Sequence, residues 1–127
     1  MRILVVEDSP TVAYTLAAAL VAGGYEVSKA ADGVEALRFA AERQPNLILL
    51  DVILPKLNGY QVCRRLKAAP ETAQIPVIML TSKAKEGDRQ WGIEQGADAY
   101  ITKPFNALDL ISAVERLGVA NRPGGAS

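Results

Sequence analysis

Three short runs of apolar residues recur along the chain without a polar interruption. They are Ile3-Leu4-Val5-Val6, Leu47-Ile48-Leu49-Leu50 and Val77-Ile78-Met79-Leu80. Each run is too short for a helix and rich in branched residues, which is typical of a strand buried on both faces. Two further segments, residues 26–30 and 98–102, alternate apolar and polar positions, as strands at the edge of a sheet do. The pattern therefore predicts three central strands and two edge strands.

The segments between these strands show helical periodicity and helix-start signals. Ser9 followed by Pro10 fits an N-cap and a first helical position. Asp32 with Glu35 three residues later fits a capping box, and the helix that it starts should end before Pro45. Helices are predicted at about residues 10–22, 32–44, 59–69, 84–96 and 107–117.

Strands that alternate with helices predict an α/β fold, a doubly wound five-stranded parallel sheet with right-handed crossovers. A chain of 127 residues, half of them apolar, can bury one core but leaves no room for a second domain of ordinary size. That domain is predicted over residues 1–118. Residues 119–127 contain Pro, Gly and Ser and are expected to form a flexible tail.

Composition and charge exclude several classes of function. Lys plus Arg and Asp plus Glu are balanced at 14 each, so no broad basic surface for nucleic acid or a membrane is expected. The chain has no histidine for a catalytic triad or a zinc site, and its single cysteine, Cys63, cannot form an intramolecular disulfide. No apolar run is long enough to span a bilayer. We expect a cytoplasmic protein.

Candidate chemistry lies where the predicted strands end. Glu7 and Asp8, Asp51, Thr81 and Lys103 each follow one of these strands, and ligand sites of parallel α/β sheets lie at this edge. Three carboxylates so close together repel one another, so they need a cation unless their pKa values rise, and oxygen ligands favour Mg²⁺. With a lysine and a hydroxyl beside them, they suit phosphoryl transfer in which Asp51 is the nucleophile and forms an acyl phosphate.

Four separated motifs resemble those of the receiver domain of bacterial two-component response regulators. They are Glu7-Asp8, Asp51 with Pro55 and Gly59 after it, Thr81-Ser82, and Lys103-Pro104-Phe105. The resemblance extends over residues 2–117, nearly the whole chain. It implies a flavodoxin-like (βα)5 fold with strand order 2-1-3-4-5.

The resemblance also implies a role for each residue at the acidic edge. Asp51 would be the phosphoacceptor and a ligand of Mg²⁺. Asp8 would bind the metal directly, and Glu7, which stands where the family often has a second aspartate, mainly through water. The backbone carbonyl of Ile53 would be the remaining protein ligand. No cofactor other than Mg²⁺ is implied.

Signalling, in the same resemblance, depends on three residues. Thr81 and Lys103 would contact the phosphoryl oxygens. Tyr100 would turn inward when Thr81 moves toward the phosphate. The face made by the helix at 84–96, the fifth strand and the fifth helix would then bind a downstream protein.

The expected function is a stand-alone phosphorylation switch, either a monomer or a phosphorylation-dependent dimer. A sensor histidine kinase or a phosphotransfer protein would phosphorylate it. A weaker resemblance of Trp91-Gly92 and Gln95-Gly96-Ala97 to receivers of type IV pilus twitching motility suggests motility or chemotaxis-like control.

Other functions stay open at this stage. The switch would not be an enzyme beyond its own phosphotransfer and autodephosphorylation, since an aspartyl-phosphate phosphatase needs a second acid where the chain has Ile53. A flavin or nucleotide binder is disfavoured because Glu7 and Asp8 occupy the place of the ligand's phosphate. A receiver-like adaptor that acts without phosphorylation is the main alternative.

Overall fold

The computed structural model describes residues 1–81, 96–103 and 105–120, which form a five-stranded parallel sheet flanked by helices. The strands are β1 (Arg2–Val6), β2 (Glu26–Ala30), β3 (Leu47–Asp51), β4 (Val77–Thr81) and β5 (Ala99–Thr102). The helices are α1 (Pro10–Ala22), α2 (Gly33–Arg43), α3 (Gly59–Ala68) and α4 (Ala107–Ala120). The helix predicted at residues 84–96 lies outside the described residues, apart from Gly96.

The strands run in the order β2-β1-β3-β4-β5, and every neighbouring pair is parallel. This confirms the predicted fold class and the strand order that the resemblance implied. In the middle of the sheet Val6 lies opposite Leu50, so the residues that follow β1 and β3 emerge next to each other. Thr81 lies opposite Thr102 at the ends of β4 and β5. All four strand ends that carry predicted site residues are thus adjacent.

The sheet separates two apolar layers because successive side chains of a strand point to opposite faces. β3 and β4 are buried along their whole length, as expected for central strands. On one face the buried residues of α2 and α3 pack against the strands, and they are Ala36, Ala40, Val62, Cys63 and Leu66. On the other face α1 and α4 contribute Leu16, Leu20, Leu110, Ala113 and Val114.

The first two helices start at the predicted caps. Ser9 Oγ accepts a hydrogen bond from the Val12 N–H at 3.4 Å, and Asp32 Oδ1 accepts one from the Glu35 N–H at 2.8 Å. The Glu35 side chain differs from a standard capping box, because it accepts from the Ala31 N–H at 2.9 Å, one residue before the N-cap. These two hydrogen bonds therefore hold Ala31 and Asp32, the two residues before α2, against the first turn of the helix.

β3 and β4 each extend one residue beyond their apolar runs. Asp51 and Thr81 are consequently the last residues of these strands and not the first residues of the loops. Pairing between the strands continues past Asp51, where the Val52 N–H donates to the Leu80 carbonyl oxygen at 3.1 Å. The side chains of Asp51 and Thr81 are thus oriented by regular strand geometry.

The last helix is longer than predicted. α4 ends at Ala120, whereas the periodicity had placed its end near residue 117. Residues 121–127 of the predicted tail lie outside the described residues, so the tail stays a prediction. Among the described residues, no helix combines the length and the apolar character needed to cross a membrane.

Candidate functional site

Three carboxylates meet at the ends of β1 and β3. Glu7 and Asp8 directly follow β1, and Asp51 is the last residue of β3. One carboxylate oxygen of each residue lies within 4.8 Å of those of the other two. Glu7 and Asp51 are only 5% and 6% exposed, whereas Asp8 is exposed. The structure therefore brings together the three acids that the strand ends predicted.

Lys103 places its ammonium group against the two buried carboxylates. Nζ lies 3.3 Å from Oδ1 of Asp51 and 3.4 Å from Oε2 of Glu7. The lysine is held by its main chain, since its N–H donates to the Thr81 carbonyl oxygen at 2.6 Å. Charge interactions in such a partly desolvated site are stronger than in water. One ammonium group still leaves the cluster of three carboxylates with excess negative charge when all are ionised.

Burial raises the pKa of Glu7 to about 7. The hydrogen bond between Glu7 and Asp51 and the negative charge of Asp51 also raise it. The Lys103 ammonium group and the Ser9 N–H, which donates to Oε1 at 3.3 Å, lower this pKa and only partly offset the rise. Because the pKa in the folded protein lies above the ordinary value of 4.5, folding favours protonated Glu7. The stabilisation that protonated Glu7 gives the folded protein is complete below pH 4.5. It is lost as the pH rises through about 7.

Glu7→Gln is expected to increase the free energy of unfolding of the metal-free protein at pH 8 by about 1 to 2 kcal/mol. Glutamine has the same length but no charge, so the variant avoids burying an anion beside Asp51. The gain should shrink toward pH 5, where Glu7 itself is protonated. Urea unfolding with a chelator at both pH values measures the difference, with Glu26→Gln as the control, since Glu26 is an exposed residue of β2. Equal stability of Glu7→Gln and wild type at pH 8 would contradict the prediction.

The start of α3 is packed directly against the backbone of Asp51. The Gly59 N–H donates to the Val52 carbonyl oxygen at 2.7 Å, and a Cβ on Gly59 would overlap the Asp51 carbonyl oxygen. A full capping box holds this helix start, with the Gln61 N–H donating to Asn58 Oδ1 at 2.9 Å and the Asn58 N–H donating to Gln61 Oε1 at 3.0 Å. Our sequence prediction missed this box, although Asn58 and Gln61 have the required spacing.

The loop between β3 and α3 also contacts the start of α2. Lys56 Nζ lies 3.4 Å from Oδ2 of Asp32, the N-cap of α2. A Cβ on Gly33 would lie 2.7 Å from the Cβ of Leu57, so the two segments are in close contact. Ile53, the predicted source of a carbonyl ligand, lies in this loop with its side chain 72% exposed.

Thr81 and Tyr100 lie near each other on one face of the sheet. Tyr100 is opposite Met79, and Thr81, two residues beyond Met79, is opposite Thr102. Side chains two residues apart on a strand share a face, so Thr81 and Tyr100 are diagonal neighbours on the side of α2 and α3. Thr81 is buried and Tyr100 half-buried. The Tyr100 hydroxyl donates to the Tyr60 hydroxyl at 3.2 Å, a contact between residues 40 positions apart that no sequence pattern indicated.

The sequence that builds this site matches the model of a known protein family. The model of the response regulator receiver domain matches residues 3–115, most of the chain. The chain belongs to the response regulator receiver domain family. This confirms the resemblance that the four motifs indicated, and it assigns the receiver to two-component signalling.

Relatives of this receiver include proteins of different sizes. The chain is 42% identical over 113 residues to Protein PilH of Pseudomonas aeruginosa, a match that covers 89% of the chain and 93% of PilH. It is 40% identical over 116 residues to the DNA-binding dual master transcriptional regulator RpaA of Synechocystis, covering 91% of the chain but 48% of RpaA. The chain thus spans about half the length of the second relative.

A solved structure resembles this receiver over nearly its whole length. It is the receiver domain of the sensor histidine kinase PA1611 from Pseudomonas aeruginosa, which has a magnesium ion coordinated in its active site cleft. The TM-score is 0.86 and the sequence identity 36%, with 92% of this chain and 96% of that one covered.

The acidic cluster of this receiver has the donor chemistry that suits Mg²⁺. This ion takes oxygen ligands in octahedral geometry at about 2.0–2.1 Å, so two of its ligand atoms are at most about 4.2 Å apart. The carboxylate oxygens of Glu7, Asp8 and Asp51 lie within 4.8 Å of one another and need only a small shift to reach that geometry. The exposure of Asp8 leaves one side of the cluster open to the waters that Mg²⁺ retains.

Proposed function

We propose that this receiver is a cytoplasmic phosphorylation switch in which Asp51 accepts a phosphoryl group from a phosphohistidine of a sensor histidine kinase or phosphotransfer protein. The observation that carries the proposal is the position of the Asp51 carboxylate. It is buried at a strand end, 3.3 Å from the Lys103 ammonium group and beside the carboxylates of Glu7 and Asp8. A nucleophilic carboxylate next to a fixed cation suits transfer of an anionic group.

In the proposed reaction a carboxylate oxygen of Asp51 attacks the phosphorus atom. The new O–P bond forms as the P–N bond to the partner's imidazole breaks, and the imidazole leaves with the electron pair. Lys103 neutralises charge on the phosphoryl oxygens, and the Thr81 hydroxyl donates a hydrogen bond to one of them.

Glu7, Asp8, Asp51 and the carbonyl oxygen of Ile53 are the residues that would hold Mg²⁺. When bound, the ion supplies further positive charge at the phosphoryl oxygens and offsets the repulsion among the three carboxylates. The support for this part of the proposal is the fit of the oxygen cluster. The magnesium in the related PA1611 receiver adds to it.

We further propose that the receiver acts as a switch and not as a turnover enzyme. A phosphatase that works through an aspartyl phosphate needs a second acid to protonate the leaving group. The residue two positions after Asp51 is Ile53, an exposed apolar side chain that has no proton to give. We therefore propose that the chain's own part in removing the phosphoryl group is limited to autodephosphorylation, in which water attacks the acyl phosphate.

The output is proposed to be a protein–protein interaction through the face that includes β5 and α4, together with the helix predicted at 84–96. When Thr81 moves toward the phosphoryl group, Tyr100 moves into the space beside it and changes this face. A surface cleft of about 520 Å³ between β5 and α4 is lined by Tyr100, Phe105 and Arg116, among others, and offers aromatic, apolar and charged contacts to a partner. We propose that the receiver acts as a monomer or as a phosphorylation-dependent dimer.

Motility or chemotaxis-like control is the pathway that we propose. The identity to PilH over nearly the full length of that protein supports it, as does the resemblance of the segment around Trp91 to twitching-motility receivers.

Thr81→Ala is expected to leave phosphorylation of Asp51 possible but to weaken its effect on β5 and α4. Alanine cannot donate a hydrogen bond to the phosphoryl group. Residue 81 is therefore no longer drawn toward the phosphoryl group, and the change at Tyr100 that depends on this movement is weakened. Hydrogen exchange of residues 99–102 and 107–117, with and without beryllofluoride, measures this effect. Thr102→Ala is the matched control, since Thr102 lies opposite Thr81 but is exposed. A Thr81→Ala protein with the wild-type response would refute the coupling.

The direct test of the proposed function is intact mass spectrometry after incubation with acetyl phosphate. The wild-type protein should gain one phosphoryl group with Mg²⁺ and none with a chelator. Treatment with hydroxylamine should remove the group, since this nucleophile cleaves acyl phosphates. No gain in mass and no binding of beryllofluoride would overturn the proposal and favour an adaptor that works without phosphorylation.

A further inference from the structure

Tyr60 lies on the part of α3 that is most firmly attached to the phosphoacceptor strand. It follows Gly59, whose N–H donates to the carbonyl oxygen of Val52, the residue after Asp51. The capping box of Asn58 fixes the same helix turn. The backbone of Tyr60 therefore has little freedom to move relative to Asp51.

The hydroxyl of Tyr60 accepts the hydrogen bond of Tyr100 at 3.2 Å. Both residues are half-buried, so the contact is partly protected from competing water. Tyr100 also packs against the apolar layer of α2 and α3. Its ring is thus held toward α3 by packing along the ring and by a hydrogen bond at its tip.

We propose that Tyr60 is a positioning residue that holds Tyr100 in this α3-facing orientation and so sets how easily the switch moves. The proposal rests on the function proposed above, in which Tyr100 moves into the space beside Thr81. The hydrogen bond to Tyr60 fits only the present orientation of Tyr100, so rotation of the ring to a new position beside Thr81 would break it. Tyr60 therefore opposes the movement.

The size of the effect follows from the strength of one hydrogen bond. The net contribution of a neutral hydrogen bond in a protein corresponds to a factor of about 2 to 10 in an equilibrium constant. Tyr60→Phe removes one hydroxyl and keeps the ring, so the α3-facing orientation of Tyr100 should lose about 2- to 10-fold in relative population. The effect on folding should be small, since the apolar contacts of Tyr60 remain.

Fluorine NMR of protein labelled with 3-fluorotyrosine tests the contact without any phosphodonor. The chain has four tyrosines, so each resonance can be assigned by a single Tyr→Phe variant. In Tyr60→Phe, the Tyr100 resonance should shift, because the Tyr100 hydroxyl has lost its hydrogen-bond acceptor and the ring changes its population of orientations. Tyr14→Phe is the matched control, because Tyr14 is 70% exposed on α1. An unchanged Tyr100 resonance in Tyr60→Phe would overturn the proposal.

Binding of beryllofluoride with Mg²⁺ tests the link to the switch. Tyr60→Phe should raise the apparent affinity about 2- to 10-fold, and the same change should have no effect when Tyr100 is already phenylalanine. An unchanged or lower affinity, or an equal gain in the Tyr100→Phe protein, would refute the link, since a merely structural role does not depend on the Tyr100 hydroxyl. If wild type fails to bind beryllofluoride, the proposed function fails, and the NMR result still decides whether Tyr60 positions Tyr100.

Discussion

Asp51→Asn is expected to abolish phosphorylation by acetyl phosphate, so that the mass of the protein stays unchanged where wild type gains one phosphoryl group. The amide has nearly the shape of the carboxylate but lacks the anionic oxygen that attacks phosphorus. Its neighbours Glu7, Asp8 and Lys103 are unchanged in this variant. Loss of phosphorylation would therefore identify Asp51 as the nucleophile. Intact mass with Mg²⁺ present is the measurement.

The control for this experiment is Asp109→Asn, the same chemical change at an exposed aspartate in the first turn of α4. This variant should gain one phosphoryl group, as wild type does. If Asp51→Asn also gains one, a different residue accepts the phosphoryl group, and Asp8 would be the next carboxylate to replace. Beryllofluoride should likewise fail to bind to Asp51→Asn, because it needs the carboxylate oxygen as a ligand.

Sequence patterns predicted the strands well because each central strand is an uninterrupted apolar run. β2 (Glu26–Ala30) has the predicted ends, and β3 and β4 differ from their apolar runs only by Asp51 and Thr81. These two polar residues continue the main-chain pairing, which hydropathy does not detect. Once a parallel sheet is assumed, convergence of the strand-end residues follows from the architecture, which explains why the acidic cluster could be predicted.

Contacts between distant residues could not be predicted in the same way. The hydroxyls of Tyr100 on β5 and Tyr60 on α3 meet in the folded protein, and neither residue type signals the contact. Lys67 and Asp98 are another case, with Nζ 3.0 Å from Oδ2. Asp98 also accepts the Val77 N–H at 2.8 Å, so the pair links α3 with the starts of β4 and β5. Such contacts depend on the three-dimensional arrangement and on the rotamers within it.

Gly59 carries the largest stability effect that we expect from a single methyl group. A Cβ at this position would overlap the Asp51 carbonyl oxygen and lie 2.7 Å from the Cα of Val52. Both neighbours are backbone atoms, one in the last residue of β3 and one in the residue after it, and the Gly59 N–H donates to the Val52 carbonyl oxygen, so neither can rotate out of the way. A close approach of helix and strand therefore requires glycine here, whereas the family motif alone gave no physical reason for it.

Gly59→Ala is expected to lower the free energy of unfolding by about 3 kcal/mol, the cost of forcing an extra carbon into a packed site. Helix propensity works in the opposite direction, since alanine is favoured over glycine by about 1 kcal/mol inside a helix. A destabilised variant would therefore show that the steric overlap outweighs propensity. Gly23→Ala is the matched control, because its nearest heavy atom is the movable end of the Ile111 side chain at 3.1 Å, and its stability should change by less than about 1 kcal/mol. Urea unfolding measures both variants, and a Gly59→Ala protein as stable as wild type would mean that α3 can move away from Asp51 at no cost.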